Sequence, residues 1–294
     1  MTEPQPLVSI VIPCYNHENY VQKTIQSVIE QDYDNIELII IDDGSKDDSV
    51  TKIEEMIPVC KQRFKRFEFR HRPNKGLCGT LNEALEWCEG EFFSPSASDD
   101  ILSHNKISIQ VNKLNENKFN NIVGVFVGIN IIDSNNKIIG KKGRNSKFGF
   151  KNILLRKAFM PGQAVMLITN EVKKIGGYNS DYKVEDLYVF LKLAHVGFYF
   201  ISIKDHLVFY RRHDDNLSSK SEVMWQAISK IIYDYKDHEK YIQALSCSML
   251  IHAHTIQVNS KKDSLLWLRK SLTTYPLNIF SISFLRLSLK YFIK

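Results

Sequence analysis

Two adjacent carboxylates, Asp99 and Asp100, follow an apolar run in the stretch "FFSPSASDDIL" (92–102). The run is typical of a strand, and the acidic pair is predicted to lie where that strand ends. Two negative charges side by side repel each other, so something must offset the cost. A turn open to bulk water would do so. A divalent ion would also do so, since carboxylate oxygens are hard ligands suited to Mg²⁺ or Mn²⁺.

Two other predicted strands end in polar residues as well. The run "LVSIVIPCYN" ends in Tyr15 and Asn16, and "IELIIIDD" ends in Asp42 and Asp43. A carboxylate in such a place can accept a hydrogen bond from a sugar hydroxyl or from the N–H of a nucleotide base. Any one of these segments is more often an ordinary turn, but the three together favour a binding site. Because no glycine-rich phosphate loop is present, carboxylates and a metal would hold a bound nucleotide.

Strands and helices alternate over the first 100 residues in the order βαβαβαβ. An apolar stripe in "ENYVQKTIQSVIEQ" predicts the first helix, and "FEF" and "GLCGTLNEALEWC" supply a later strand and helix. This alternation predicts an α/β fold with a mostly parallel, Rossmann-like sheet flanked by helices. Ligands of such sheets bind beyond the carboxyl ends of the strands. The side chains expected at this rim are Tyr15, Asp43, Asp99 and Asp100.

The second half of the chain is less regular. A hairpin is predicted in "IVGVFVGINIID-SNN-KIIGKK", a strand in "MPGQAVMLI", a helix in "VEDLYVFLKLAHVG" and a last strand in "HLVFYRRHDDNLS". From residue 218 onward the pattern is helical only. The sequence therefore predicts a sheet-containing domain over 1–217 and a helical C-terminal appendage over 218–294.

The net charge of +6 is concentrated in the tail. Residues 260–294 carry seven lysines and arginines against Asp263 alone, so the rest of the chain is close to neutral. This distribution argues against a nucleic-acid-binding groove in the main domain. Pro276 divides the tail into two predicted helices, and the second places Ile282, Leu285 and Leu289 on one side. We expect these helices to pack on the main domain, to lie on an anionic membrane surface, or to do both.

The chain shows no sign of export or of membrane insertion. No basic region precedes a long apolar run at the N-terminus, and no run of about 18 apolar residues occurs, so neither a secretion signal nor a spanning helix is expected. The five cysteines form no CxxC pair, which favours reduced thiols. We therefore expect a cytoplasmic protein, peripheral on the cytoplasmic face of the inner membrane if the tail binds lipid.

The segment "VSIVIPCYNHENYVQKTIQSVIEQDYDNIELIIIDDGSKDDS" resembles the opening of family 2 glycosyltransferases, which have the GT-A fold. "NKGLCGTLNEALEWCEGEFFSPSASDD", "IGGYNSDYKVEDLYVFLKLAHVG" and "FYRRHDDNLS" match later landmarks of the family in order, so the resemblance covers residues 6–217. It implies an inverting transferase that moves a sugar from a nucleotide-sugar donor, usually a UDP-sugar, to a hydroxyl of a saccharide acceptor. It also implies synthesis of a bacterial surface polysaccharide (O-antigen or capsule) on a lipid-linked acceptor.

The resemblance also implies roles for individual residues at the donor. The residues assigned to the nucleotide sugar are Pro13, Tyr15, Asp43, Lys75, Asp99, Arg211 and His213. Asp43 would contact the base, Asp99 the ribose, and Asp100 the Mn²⁺ or Mg²⁺ ion, with Asp99 as a second metal ligand. The family motif is usually D-x-D or D-x-D-D, and Ala97 occupies its first position here. The division of roles between Asp99 and Asp100 therefore stays open.

Sugar transfer needs a base that removes the proton of the acceptor hydroxyl. The resemblance places it in "VED", with Asp186 favoured over Glu185. Without the resemblance, two acids in the first turn of a helix would be explained by the helix dipole. Two other functions stay open: a binding module that has lost catalysis, and a phospho-acceptor signalling domain. The second is disfavoured because "PCYN" stands after the first strand, where an acidic pair would be needed.

Overall fold

The computed structural model describes residues 5–213 and 220–292. The chain divides into two compact units. The first comprises Met1–Gly149, Phe159–Ser180 and Lys192–His213, and the second comprises Phe150–Ala158, Asp181–Leu191 and Asp214–Lys294. The predicted helical appendage thus falls within the second unit, which also takes in two earlier segments that the sequence analysis had placed in the sheet domain.

The described residues form ten strands and twelve α-helices. The strands are β1 (Val8–Cys14), β2 (Ile36–Asp42), β3 (Arg66–His71), β4 (Phe92–Pro95), β5 (Ile101–Leu102), β6 (Ile122–Ile132), β7 (Ile138–Lys142), β8 (Ser146–Phe148), β9 (Val165–Ile168) and β10 (Tyr199–Arg211). The helices are α1 (Val21–Ile29), α2 (Ser49–Glu54), α3 (Ile57–Arg63), α4 (Gly76–Trp87), α5 (Lys106–Glu116), α6 (Phe150–Leu154), α7 (Thr169–Lys174), α8 (Glu185–His195), α9 (Ser221–Tyr233), α10 (Tyr241–Ile256), α11 (Lys261–Thr274) and α12 (Ile282–Phe292).

The parallel strands of the first unit are those predicted from the sequence. They lie in the order β3-β2-β1-β4, and every residue of β2 is buried. A continuous apolar run is needed here because helices cover both faces of a parallel sheet. The register pairs Cys14 with Asp42, and Asp42 with His71. The carboxyl ends of three strands therefore meet at one rim, as predicted.

The rest of the sheet mixes strand directions. Beyond β4 the order continues β9-β6-β10-β5, with β9 antiparallel to both of its neighbours and β6 parallel to β10. The hairpin predicted from "SNN" is confirmed by the antiparallel pair β6–β7. β5 pairs antiparallel with β10, with Leu102 opposite Val208. This short contact brings the end of β10 beside the Asp99–Asp100 turn.

In the second unit, α10, α11 and α12 surround a small core of Leu250, Ala253, Leu268 and Leu287. The predicted break at Pro276 is confirmed, because a 3₁₀ turn over Pro276–Phe280 separates α11 from α12. The side chains of α12 that the sequence placed on one side are exposed. They are Ile282 (69%), Leu285 (54%) and Leu289 (60%). No helix among the described residues has both the length and the apolar character to cross a bilayer.

A buried carboxylate ties together the amino ends of the parallel strands. Oε1 of Glu37 accepts hydrogen bonds from Ser9 Oγ (2.5 Å) and from the backbone N–H groups of Glu89 (2.7 Å) and Gly90 (3.0 Å). Its Oε2 accepts one from Arg66 Nη1 at 2.5 Å. A charge without solvent contact is tolerated only when it is paired in this way.

Replacing Glu37 by alanine should therefore destabilise the folded protein. The substitution leaves Arg66 and two backbone donors without their acceptor, and we expect the free energy of unfolding to fall by about 3 kcal/mol or more. Urea unfolding measures the loss. Glu89→Ala is the matched control, because Glu89 also pairs with Arg66 (3.2 Å) but its side chain is 67% exposed. That control should lose less than about 1 kcal/mol, and equal losses would contradict the assignment.

Candidate functional site

The loops after β1 and β2 are bonded to each other. The backbone N–H of Asn16 donates to Ser45 Oγ (2.8 Å), and the backbone N–H of Lys46 donates to Asn16 Oδ1 (2.8 Å). Asn16 has a positive φ of 54°, which asparagine tolerates better than most residues. The turn leaves the ring of Tyr15 46% exposed beside the half-buried Pro13. Tyr15 is thus available for stacking against a planar group.

Of the acidic pair after β2, Asp42 is used by the protein itself. Its Oδ1 accepts from the backbone N–H groups of Gly44 (3.1 Å) and Ser45 (2.9 Å), and its Oδ2 accepts from Ser45 Oγ (2.5 Å). Gly44 has a φ of 78°, and a Cβ there would lie 2.9 Å from the backbone nitrogen of Asn74. Asp42 and Gly44 therefore shape the turn that presents the next residue, Asp43.

Asp43 is held in place through one of its two oxygens. Arg72 Nη1 and the backbone N–H of Lys75 (2.8 Å) both donate to Oδ1. Oδ2 makes no hydrogen bond with any residue in 5–213 or 220–292. Arg72 is itself fixed by Glu83, whose Oε2 accepts from Arg72 Nε (2.7 Å) and from Lys75 Nζ (3.0 Å). Asp43 thus offers one oriented acceptor, and the Lys75 ammonium is committed to Glu83.

The pKa of Glu83 reflects this arrangement. Burial acts to raise it, but the hydrogen bonds from Lys75, Arg72 and Arg70 outweigh burial and lower the pKa to about 2. The carboxylate is therefore ionised at physiological pH and keeps its negative charge beside Arg72 and Lys75.

Two imidazoles lie beside Asp99. His213 Nε2 is 2.9 Å from Asp99 Oδ2, and His17 Nδ1 is 2.7 Å from Ser98 Oγ. One potential ligand atom from each of His17, Asp99 and His213 lies within 4.8 Å of the other two. Tyr20 stacks on the His213 ring with 5.9 Å between the ring centroids, which orients the imidazole. The set is compact enough to bind one metal ion.

Asp100 is fully buried and is not part of that cluster. Its Oδ1 accepts the backbone N–H of Arg211 at 2.8 Å, and its Oδ2 has no hydrogen-bond partner among the described residues. Burial, and after it the negative charge of Asp99, raise the pKa of Asp100 well above its usual value. A buried carboxylate oxygen without a partner fits a nearby cation. The metal-binding role of Asp100 stays a prediction, and the geometry favours Asp99.

Arg211, which the sequence analysis assigned to the nucleotide sugar, is enclosed by the protein itself. The side chain is 1% exposed, and its donors reach the carbonyl oxygens of Asp99 (2.8 Å) and Asp133 (3.0 Å) and Oδ1 of Asn136 (2.8 Å). The guanidinium also lies 4.6 Å from the centroid of the Tyr20 ring. Arg211 is therefore a positioning residue, which fixes the turn that carries Asp99.

The two acids predicted to supply the general base, Glu185 and Asp186, lie in the second unit at the start of α8. Burial raises the pKa of Glu185, and the negative charge of Asp186 raises it further. Burial also raises the pKa of Asp186, but there the backbone N–H of Leu187 (2.6 Å) and the positive charge of Arg156 oppose the rise. Burial thus raises the pKa of both acids, and the positive charge of Arg156 acts against that rise at Asp186. The assignment of the general base to Asp186 stays a prediction.

The sequence analysis missed three residues: His17, Arg72 and Arg156. The first two could have been found, because His17 directly follows "PCYN" and Arg72 directly follows the third parallel strand. Both obey the same rule about carboxyl ends that identified Asp43 and Asp99. Arg156 follows α6, and nothing in its local sequence connects it with Asp186.

Solved structures share this fold. S. aureus TarS (residues 1–349) in complex with UDP-GlcNAc gives a TM-score of 0.66 over 90% of this chain and 79% of that structure, at 17% identity. The mannosyltransferase PcManGT from Pyrobaculum calidifontis, in complex with GDP-Man and Mn²⁺, gives 0.60 over 98% and 85%, at 14% identity. At these identities the likeness concerns the fold alone, and it confirms the predicted GT-A fold.

Sequence relatives point to the same family. An uncharacterised glycosyltransferase of Rickettsia typhi is 28% identical over 243 residues, which are 76% of this chain and 72% of the relative. An Escherichia coli relative, UDP-Glc:alpha-D-GlcNAc-diphosphoundecaprenol beta-1,3-glucosyltransferase WfgD, is 34% identical over 50% of this chain and 55% of its own length. A Rickettsia bellii glycosyltransferase matches at 34% over 46% of this chain, but over only 19% of its own length.

The profile of glycosyl transferase family 2 matches residues 9–170, which is more than half of the chain. The matched range contains the turns with Tyr15, Asp43 and Asp99. The motifs, the fold and the relatives therefore agree, and this chain belongs to glycosyl transferase family 2.

Proposed function

We propose that the protein transfers a sugar from a UDP-sugar to a hydroxyl of a saccharide carried on a lipid diphosphate, with inversion at the anomeric carbon. The observation that supports this most strongly is the convergence of Tyr15, Asp43 and Asp99 at the carboxyl ends of adjacent parallel strands. The relative WfgD is named for UDP-Glc as donor and a diphosphoundecaprenol-linked sugar as acceptor, which supports both the proposed nucleotide and the proposed lipid. Synthesis of a cell-surface polysaccharide is the corresponding biological role.

The donor base would bind between Tyr15 and Asp43. The exposed Tyr15 ring provides a surface for stacking, which contributes about 1–3 kcal/mol per base. Oδ2 of Asp43 has no hydrogen bond within the described residues and so can accept one N–H of the base. Because Arg72 and Lys75 fix the other oxygen, the carboxylate is oriented before the donor arrives. An acceptor oxygen in this position suits the N3–H of uracil.

A divalent ion would be held by Asp99, His213 and His17. Asp100, whose Oδ2 has no hydrogen-bond partner among the described residues, stays a predicted further ligand. When bound, the ion supplies positive charge that stabilises the departing diphosphate. Imidazole nitrogens suit transition metals better than Mg²⁺, so this donor set favours Mn²⁺. Stacking on Tyr20 keeps the His213 ring in position whether or not the ion is present.

Asp186 is the proposed general base. Arg156 favours its ionised form, and Glu185 beside it holds a proton, so the pair has one acceptor for the proton of the acceptor hydroxyl. The raised pKa values bring the pair closer to physiological pH, where a general base works best. Deprotonation of the hydroxyl allows one direct displacement at the anomeric carbon, and one displacement inverts the configuration.

The exposed apolar residues and the basic residues of the tail support peripheral contact with the cytoplasmic face of the inner membrane. Ile282, Leu285 and Leu289 are exposed on α12, and Phe280 just before it is 80% exposed. Lysine and arginine residues accompany them in the sequence, which suits an anionic leaflet. The lipid part of a lipid-linked acceptor would be anchored in that same membrane.

Asp186→Asn should remove most sugar transfer without weakening the binding of the nucleotide-sugar donor. We expect the rate to fall between about 10²- and 10⁴-fold, because the general base is lost. The assay mixes UDP-Glc, UDP-GlcNAc or GDP-Man with Mn²⁺ and a short-chain lipid-diphosphate saccharide, and donor affinity is measured separately. Glu185→Gln should have the smaller effect. Donor binding without transfer by the wild-type protein would indicate a binding module instead.

Asp99→Asn and His213→Gln should each weaken Mn²⁺-dependent UDP binding by at least about tenfold, as expected when a metal ligand is removed. Titration calorimetry with and without Mn²⁺ measures the effect. His71→Gln is the matched control, because this half-exposed imidazole lies 3.8 Å from Asp42 and outside the cluster. Unchanged affinity in both site variants would refute the proposed ligands.

Asp100→Asn should stabilise the protein in EDTA. The folded-state pKa of Asp100 lies above the unfolded value, so its ionised form destabilises the folded state at neutral pH. That cost disappears as the pH falls through the raised pKa. The variant should therefore melt at a higher temperature than wild type at pH 7.5, and the difference should shrink toward about pH 4. Asp34→Asn, at an exposed site, should show no such trend.

A further inference from the structure

Two neighbouring cavities in the second unit are not used by the residues discussed above. The first has a volume of about 140 Å³ and is lined by α9 and α10, including Trp225 and Ile228. The second has a volume of about 240 Å³, and Leu277 and Phe280 are part of its wall. Arg156 lines both cavities. A guanidinium therefore stands where two largely apolar spaces meet.

Two buried side chains that line the first cavity, Ser248 and His252, each carry a polar atom without a hydrogen-bond partner in the part of the chain that the structure describes. Ser248 and His252 are 4% and 5% exposed, and neither Ser248 Oγ nor His252 Nε2 makes a hydrogen bond within the described residues. Glu222 Oε2 lies 3.6 Å from His252 Nε2, which is too far for a hydrogen bond. Burial lowers the pKa of His252, although the charge of Glu222 opposes this. Buried polar atoms are rarely left unpaired, so a ligand with polar atoms fits this wall.

Arg156 has the conformation and the unused donors expected of a binding residue. Its φ of 56° lies in the left-handed region, which a residue other than glycine adopts only at a cost of about 1–2 kcal/mol. Its guanidinium makes no hydrogen bond with any described residue. A planar guanidinium with free donors binds phosphate oxygens well.

We propose that these cavities hold the diphosphate and the first part of the apolar chain of the lipid-linked acceptor, an inference that rests on the proposed function. Arg156 and the Ser248 hydroxyl donate to phosphate oxygens, and the chain lies against Leu277 and Phe280. A bare phosphate would leave the apolar walls unfilled. Because the charge of Arg156 also acts on Asp186, a diphosphate held at Arg156 brings its attached sugar toward the base.

The test measures binding of farnesyl diphosphate to the full-length protein by equilibrium dialysis, in EDTA and without donor. We expect saturable binding, with inorganic pyrophosphate and farnesol each at least about tenfold weaker, or about 1.4 kcal/mol. Arg156→Gln should lose at least tenfold in affinity because the anion loses its cation. Leu277→Asp should lose as much, since it places a charge against the chain. Leu277 is 61% exposed, so that substitution does not disturb folding.

Leu265→Asp is the matched control, because Leu265 is 49% exposed on α11 and lines neither cavity. It should bind like wild type, and excess UDP should not displace the probe. Pyrophosphate binding as tightly as farnesyl diphosphate, or unchanged affinity in Arg156→Gln and Leu277→Asp, would overturn the inference. If the probe binds as expected but no sugar is transferred to any acceptor, the proposed function fails while the amphiphile site stands.

Discussion

The donor side of the site depends on how one buried cation is paired. Arg211 is almost completely removed from water, and an unpaired guanidinium in that position would be prohibitively expensive. Its acceptors are backbone carbonyls of the turn at Asp99 and of the turn after β6, and its own backbone N–H binds Asp100. These three segments can therefore form only together. Asp99 owes its position to this requirement, and so do the imidazoles beside it.

A second pair of neighbouring acids lies at the start of α8, and its negative charge is balanced in a different way from that of Asp99 and Asp100. In both places desolvation raises the pKa of one carboxyl group, Asp100 in the first and Glu185 in the second, and the negative charge of the neighbouring acid raises it further. At the first pair, His17, Asp99 and His213 place potential ligand atoms within 4.8 Å of one another, and the proposed divalent ion would balance the negative charge there. At the second pair, the positive charge of Arg156 opposes the rise in the pKa of Asp186. The proposed roles follow these surroundings, with a metal ion at the first pair and proton transfer at the second.

The parallel part of the fold could be predicted because its signals are local. β1, β2 and β4 are short apolar runs that end in chemically distinctive residues, and the rule for parallel strands places those ends together. The positions of β5, β9 and β10 in the sheet could not be predicted, because they depend on pairing between distant segments: Phe92 pairs with Ile168, and Leu102 with Val208. The enclosure of Arg211 could not be predicted for that reason: its sequence context suggested contact with the nucleotide sugar, but in the structure β10 pairs with β5 and the side chain is buried.

Within the site, the acidic residues at strand ends and in the family motifs were identified from the sequence, and residues that act through another side chain were not. Asp43 was predicted, but Arg72, which orients it, was overlooked. Asp186 was predicted, but the opposing charge of Arg156 comes from a segment 30 residues earlier. Residues proposed to contact a substrate are easier to find from sequence motifs than residues that orient them or shift their pKa.

The second unit is assembled from three separate stretches of chain, 150–158, 181–191 and 214–294. No single cut can release it, and no single crossover between two genes can exchange it whole. A hybrid that inherits only the C-terminal helices of a relative would keep its own Arg156 and Asp186 beside foreign partners. Diversification of this part of the protein is therefore expected to proceed by coordinated point substitutions in all three stretches more readily than by domain shuffling.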